Sequence, residues 1–228
     1  PLYSSAASDV YKRQRKSEMK ALQAQINPHF LYNTLDSIIW MSEAGENDQV
    51  VLMTSALAKL LRQSISNDRE QITVAEEIDY VRSYLTIQKM RYKDKLEYTI
   101  DVEERILDVR IIKFVLQPLV ENAIYHGLKY KETKGNLDIR GYRRGNRVCL
   151  VVADDGAGME ESELEHILEK KEKKTKSNGV GVYNVQKRLQ LYYGPEYGIS
   201  YISRKGEGTV ATVTIPLDGG KSNEETGR

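Results

Sequence analysis

A single cysteine in 228 residues, Cys149, leaves no disulfide framework and no thiolate metal cluster, and suits a reducing compartment. Long hydrophobic runs are missing as well: none approaches the roughly 20 residues that a membrane-spanning helix needs. No signal peptide is recognisable, so any membrane attachment is expected through a segment absent from this chain. Charge of one sign is also lacking. Thirty-four Lys and Arg against 33 Asp and Glu leave a net charge of +1, which gives no reason to expect nucleic acid or an anionic membrane as partner. The three histidines, His29, His126 and His166, do not stand at metal-ligand spacing. There is no internal repeat. What is present is a globular composition, 40% hydrophobic and 29% charged, sufficient for one domain and a smaller partner.

Residues 1–14 show neither helical period nor strand alternation and are expected to be a non-native or disordered leader. From Lys16 to Ala44 the apolar positions Met19, Leu22, Ile26, Phe30, Leu31, Leu35, Ile38 and Ile39 follow helical spacing. Ala44-Gly45-Glu46-Asn47 reads as a stop and turn. A second amphipathic helix carries Val50, Met53, Leu57, Leu60 and Leu61 on one side. Such a hairpin leaves an apolar stripe exposed, and two copies would bury it as a four-helix bundle; a homodimer held by Met53, Leu57, Leu60 and Leu61 is therefore expected.

Thr73-Val-Ala-Glu76 is a capping box that starts a third helix through Tyr84 and Met90. Leu96, Tyr98, Ile100 and Val102 alternate like a half-buried strand. Residues 111–128 read as helix. Hairpins are expected for 137–142 with 148–152 and for 199–203 with 210–215, and helices for 161–169 and 182–193. This is an α+β fold, a helical hairpin followed by a mixed sheet layered with helices. The polar tail 218–228 is expected to be disordered.

Three stretches carry candidate chemistry. Asp154-Asp155-Gly156-Ala157-Gly158-Met159 follows a buried strand, where a carboxylate can point into a cleft beside a sharply turning backbone. Gly179-Val-Gly181 precedes a helix, a place where free amides hold phosphate. Glu121, Asn122 and His126 interrupt an otherwise apolar helix that begins at Gln117-Pro118. Taken singly, an Asp-Gly turn is a common hairpin and Glu121 a common solvent-facing residue.

In combination, Asn122, Asp155 with Gly156 and Gly158, Gly179-x-Gly181 and Gly206-x-Gly208-Thr209 follow the order of the boxes of the GHKL (Bergerat-type) ATP-binding fold, and the chain resembles that superfamily. Upstream, Ala24-Gln-Ile-Asn-Pro-His29-Phe-Leu-Tyr-Asn33 resembles the phosphoacceptor box of LytS/YesM-type sensor histidine kinases. The resemblance covers residues 16–217. It implies a dimerising phosphoacceptor hairpin at 15–68, a GHKL catalytic domain at 69–217, and the cytoplasmic part of a bacterial membrane sensor. It also implies autophosphorylation of His29 by ATP, then transfer to an aspartate of a response regulator. Asp155 would accept the exocyclic amine of adenine, Asn122 would offer its carbonyl oxygen to Mg²⁺, and His126 would help position the ligand. Gly179 and Gly181 would cap the phosphates with Asn184 behind them, Gly208 and Thr209 would complete the pocket, and residues 170–178 would be a mobile lid.

Some residues depart from the family patterns. Phe30 stands where many histidine kinases carry an acid, so no general base is identified. Tyr125 replaces a usual lysine, which puts one phosphate contact in question. Pro118 occupies the position of the water-activating glutamate of gyrase-like ATPases. Proline directly before His29 suggests a bend presenting the imidazole, which is nucleophilic near neutral pH. The alternatives are a GHKL ATPase and a non-catalytic nucleotide-binding scaffold.

Overall fold

The computed structural model describes residues 28–65, 69–129, 131–168 and 180–219. Residues 1–27 lie outside it, and with them the leader, Met19, Leu22, Ile26 and the bend expected ahead of His29. Helix α1, Pro28–Glu43, and helix α2, Asn47–Ile65, form the hairpin. Gly45 at φ 74° ends α1, and the Glu46 N–H donates to Met41 O at 2.9 Å, so the left-handed residue closes the last turn.

The apolar stripe of α2 does not face water. Met53, Leu57 and Leu60 are buried against helix α3, Val74–Tyr92, and Leu61 is half-buried. The intrachain helix takes the place expected for a second copy. The residues that do remain exposed are Tyr32, Leu35, Ile39 and Trp40 on α1 and Val51 and Leu52 on α2. Positions 32, 35 and 39 share one helix face.

Helix α3 begins at the expected capping box: Thr73 Oγ1 accepts the Glu76 N–H at 3.1 Å, and Glu76 Oε2 accepts the Thr73 N–H at 2.8 Å. Ten of its residues are buried, from Val74 to Gln88, and they surround the axis. That all-round burial is possible because α3 packs on α2 and also on the sheet domain.

Strands β2 (Leu96–Val102), β4 (Gly135–Arg144), β5 (Arg147–Asp154), β6 (Gly198–Arg204) and β7 (Gly208–Pro216) form one sheet in the order β2-β4-β5-β7-β6. Only the β2–β4 pair is parallel. In β4 the buried residues Gly135, Leu137, Ile139 and Gly141 alternate with more exposed ones, whereas β5, with β4 and β7 on either side, is buried continuously from Val148 to Val152. Helix α6 (Val180–Tyr193) packs on the sheet, α4 (Gln117–Asn122) packs against α6 and α3 and reaches the sheet through its continuation at 123–128, and α5 (Glu161–His166) is short. The α+β reading holds.

Residues 111–128 are not one helix. Arg110–Ile112 form strand β3, paired antiparallel with β1, Gln71–Thr73, and helix starts only at Gln117. The reason is long-range. The buried Glu77 carboxylate of α3 accepts the N–H groups of Phe114 and Leu116, both at 2.9 Å, and the Tyr193 hydroxyl of α6 accepts that of Ile112 at 2.9 Å. Those partners satisfy donors that helix would otherwise use, and Phe114 adopts φ 57° in the bend. Gly219, expected within the disordered tail, is buried, and its carbonyl accepts the Gln71 side-chain amide at 2.8 Å; residues 220–228 lie outside the described residues.

Candidate active site

The candidate cleft is built where α4, the end of β5, the start of β7 and the start of α6 meet. Helix α4 ends at Asn122 and continues as a π-helix, Ala123–Leu128, which carries His126 and Gly127. Wide turns of this kind are rare and recur at functional sites. Asn122 is half-buried and His126 exposed.

The two aspartates at the end of β5 have opposite surroundings. The Asp155 side chain is 39% exposed, and its carboxylate is already engaged. Oδ1 accepts the Asn136 N–H at 2.8 Å, and Oδ2 accepts the Asn136 side-chain amide at 2.6 Å and faces the Lys131 ammonium at 2.7 Å. Partial burial raises its pKa, but the Asn136 donors and Lys131 outweigh that and hold it below the usual carboxylate range. Asp154 is buried. Burial pushes its pKa up to about 6, the neighbouring Asp155 charge adds to this, and the Gly156 and Thr209 N–H groups and Lys131 oppose it. Its Oδ1 accepts the Gly156 N–H at 2.9 Å.

Glycines from three segments pack closely at this residue. A Cβ at Gly127 would overlap Asp154 Oδ1, a Cβ at Gly208 would overlap the Asp154 carbonyl, and a Cβ at Gly156 would overlap the Gly127 backbone. Gly127 and Gly208 are thus required by close approach. The Ala157 N–H donates to Gly127 O at 3.0 Å, joining the loop to the π-helix. Gly158, at φ 62°, turns the chain against Arg204. Ser203 completes the link: its hydroxyl donates to Gly208 O and accepts the Met159 N–H, both at 2.9 Å, and contacts Thr209 Oγ1 at 2.9 Å.

The buried carboxylate at the strand end is therefore Asp154, one residue before the aspartate singled out by sequence. The signal was present, since an aspartate two residues before Gly156 and four before Gly158 is Asp154. Gly127 and Ser203 were also missed: one resembles an ordinary helix terminator, the other an ordinary strand serine.

Gly181 and Asn184 stand on the first turns of α6, Gly181 facing Pro118 of α4. Gly179 and the lid segment 170–178 lie outside the described residues. Glu121 turns away from the cleft, as its helical position implies. It accepts the Gln117 amide at 2.8 Å, burial raises its pKa, and its charge acts on Tyr80 and Tyr84 of α3. Tyr125 faces the same way, its buried hydroxyl near Tyr84 and Tyr92. It fills the joint with α3.

His29 stands apart, exposed in the first turn of α1. The next residue, Phe30, is buried with its ring 5.0 Å from that of Tyr84. The Asn33 side-chain amide lies 3.1 Å from His29 Nδ1 and 3.3 Å from Nε2.

In this chain a helical hairpin precedes the layered sheet and its glycine-lined carboxylate. Two family models match accordingly: histidine kinase over residues 17–96, and histidine kinase-, DNA gyrase B-, and HSP90-like ATPase over residues 107–219. The chain is 39% identical over 202 residues to sensor histidine kinase YesM of Bacillus subtilis, covering 89% of this chain and 34% of that protein. It is 32% identical over 210 residues to sensor histidine kinase BtsS of Escherichia coli, covering 90% and 35%. The catalytic domain of histidine kinase ThkA shares the fold with a TM-score of 0.51 at 19% identity, over 64% of this chain and 96% of that one. The chain belongs to the sensor histidine kinase family. It spans about a third of the length of the curated relatives it matches. Among the described residues no helix is long and apolar enough to cross a membrane.

Proposed function

We propose that this chain binds ATP in the cleft around Asp154 and transfers its γ-phosphoryl group to His29, from which it passes to an aspartate of a response regulator. The observation that carries the reading is a buried Asp154 whose carboxylate is closely approached by Gly127 and whose main chain is closely approached by Gly208, in a chain whose exposed His29 stands on a separate helix. Asp154, ionised above pH 6, accepts a hydrogen bond from the exocyclic amine of adenine. Guanine presents a carbonyl at that edge and is rejected, because two acceptors would meet. The N-terminal turn of α6, with Gly181, supplies positive dipole to the phosphates.

Asn122 fits Mg²⁺ by the chemistry of its donor, a hard amide oxygen at the cleft, and the metal when bound supplies charge neutralisation of the triphosphate. His29 attacks the γ-phosphorus: the N–P bond forms, the bond to the bridging oxygen breaks, and its electron pair leaves on ADP. Asp36 is the nearest following acid on α1 and lies seven residues on, while Phe30 carries no base.

The dimer proposed here uses the exposed face of Tyr32, Leu35, Ile39 and Trp40 with Val51 and Leu52, since Met53, Leu57 and Leu60 are taken by α3. The proposed units are the hairpin 15–68 and the catalytic domain from 69 to Gly219. The ATPase alternative finds no support in the cleft, because Pro118 has no titratable group and Glu121 is turned to α3. Incubation of the chain with γ-labelled ATP tests the proposal: acid-labile, base-stable label on His29 is expected, and label elsewhere or none contradicts it.

A further inference from the structure

His29 is an exposed imidazole on the first turn of α1, and the Asn33 side chain lies against it. Asn33 follows one helical turn later, and residues four apart share a helix face. The Asn33 amide is within 3.1 Å of Nδ1 and 3.3 Å of Nε2. The two ring nitrogens lie on either side of one carbon, so the amide can hold one of them at a time. The shorter distance is to Nδ1. The oxygen and nitrogen of an asparagine amide exchange places by a half-turn of the side chain, so either end can meet the ring.

A neutral imidazole has one N–H and one lone pair, and only the nitrogen with the lone pair attacks phosphorus. Free in water, the ring favours the proton on Nε2, which leaves the lone pair on Nδ1, beside the crowded Cβ. We propose that Asn33 is the positioning residue that reverses this preference: its Oδ1 accepts Nδ1–H, and Nε2 at the outer end of the ring keeps the lone pair. This inference rests on the phosphotransfer reading for its purpose but not for its geometry.

The consequences balance. When Nε2 bonds to the γ-phosphorus and ADP leaves, the ring carries a positive charge and still holds the Nδ1 proton. An amide oxygen is not a base, so that proton passes to water, which reaches the exposed ring. Loss of one hydrogen bond that selects the tautomer is expected to slow phosphorylation on the order of tenfold. Asn33 touches His29 and not the cleft, so the KM for ATP stays unchanged. An aspartate at the same place also accepts Nδ1–H and holds it more strongly.

The test uses the whole chain with ¹⁵N-labelled histidine, the His29 signals being assigned by their loss in His29→Gln. At neutral pH the parent is expected to show His29 protonated on Nδ1. Asn33→Ala is expected to shift His29 toward the Nε2-protonated form and to lower kcat with KM unchanged, and Asn33→Asp to restore both the tautomer and the rate. A parent protonated on Nε2, or an Asn33→Ala chain with unchanged tautomer and rate, overturns the proposal. An Nδ1-protonated parent that never takes label on His29 upholds the tautomer assignment and overturns the phosphotransfer reading instead.

Discussion

The hairpin and the cleft handle their functional groups in opposite ways. His29 is exposed on the first turn of α1, with the Asn33 amide against its ring and an exposed apolar face along the same helix. Asp154 is buried within its own domain and is so tightly approached that glycine is the residue that fits at 127 and 208. One group is enclosed by the fold. The other is presented outward, beside an exposed apolar face. A group that must receive phosphoryl and hand it on needs access, whereas a group that recognises a base needs dryness, because a hydrogen bond discriminates most when water cannot replace it.

The sharpest break in this contrast is expected within the hairpin itself, between its covered and its open face. Leu57→Ala removes methyl groups from the contact with α3 and is expected to cost about 2–5 kcal/mol of stability. Ile39→Asp changes an exposed residue and is expected to alter stability by about 0.5 kcal/mol or less, while dissociating the dimer. Thermal melts and light scattering on both variants check this; a monomeric parent, or a dimer insensitive to Ile39→Asp, removes the proposed face.

The two aspartates give the next largest difference. Asp154→Ala loses a hydrogen bond to a charged acceptor, about 1.5–3 kcal/mol, or roughly tenfold to a hundredfold in ATP affinity. Asp155→Ala breaks a partly exposed contact with Lys131 and is expected to cost about 1 kcal/mol or less in stability, with ATP affinity little changed. Calorimetry with both variants decides between the neighbours; equal losses, or a larger loss for Asp155→Ala, return the adenine role to Asp155.

A smaller, pH-linked effect sharpens the same point. The Asp154 pKa of about 6 in the fold exceeds the ordinary carboxylate value of about 3.9. The folded state therefore binds this proton more tightly than the unfolded chain. The contribution of Asp154 to stability is fully present below about pH 4 and is lost as pH rises through about 6. ATP affinity is expected to run the other way, rising as the carboxyl ionises. Comparing parent and Asp154→Asn between pH 5 and 8 isolates both trends, and an affinity that is flat across that range contradicts them.

The fold was largely legible because its signals are local. The capping box at Thr73 and Glu76, the alternation in β2 and the turn at Gly145 each lie within a few residues of the structure they specify. The errors come from distance. Nothing near residue 113 reveals that Glu77 and Tyr193 will take the amides of 112, 114 and 116 and suppress a helical turn. The stripe Met53, Leu57 and Leu60 was read correctly as needing cover, but period alone cannot tell a neighbouring helix of the same chain from a second copy. In the cleft, the glycine boxes were visible as composition. Which aspartate they enclose depends on the strand: Asp154 is the last residue of β5 and points inward, and its neighbour Asp155 necessarily points to the rim.

The central claim is that the enclosed site binds and the open site reacts, and one paired measurement on His29→Gln tests it most directly. ATP affinity by calorimetry and incorporation of γ-label are measured on the same preparation, beside the parent. The account predicts affinity equal to the parent and no acid-labile label. Label retained at the parent level, or ATP binding lost together with the label, would contradict it.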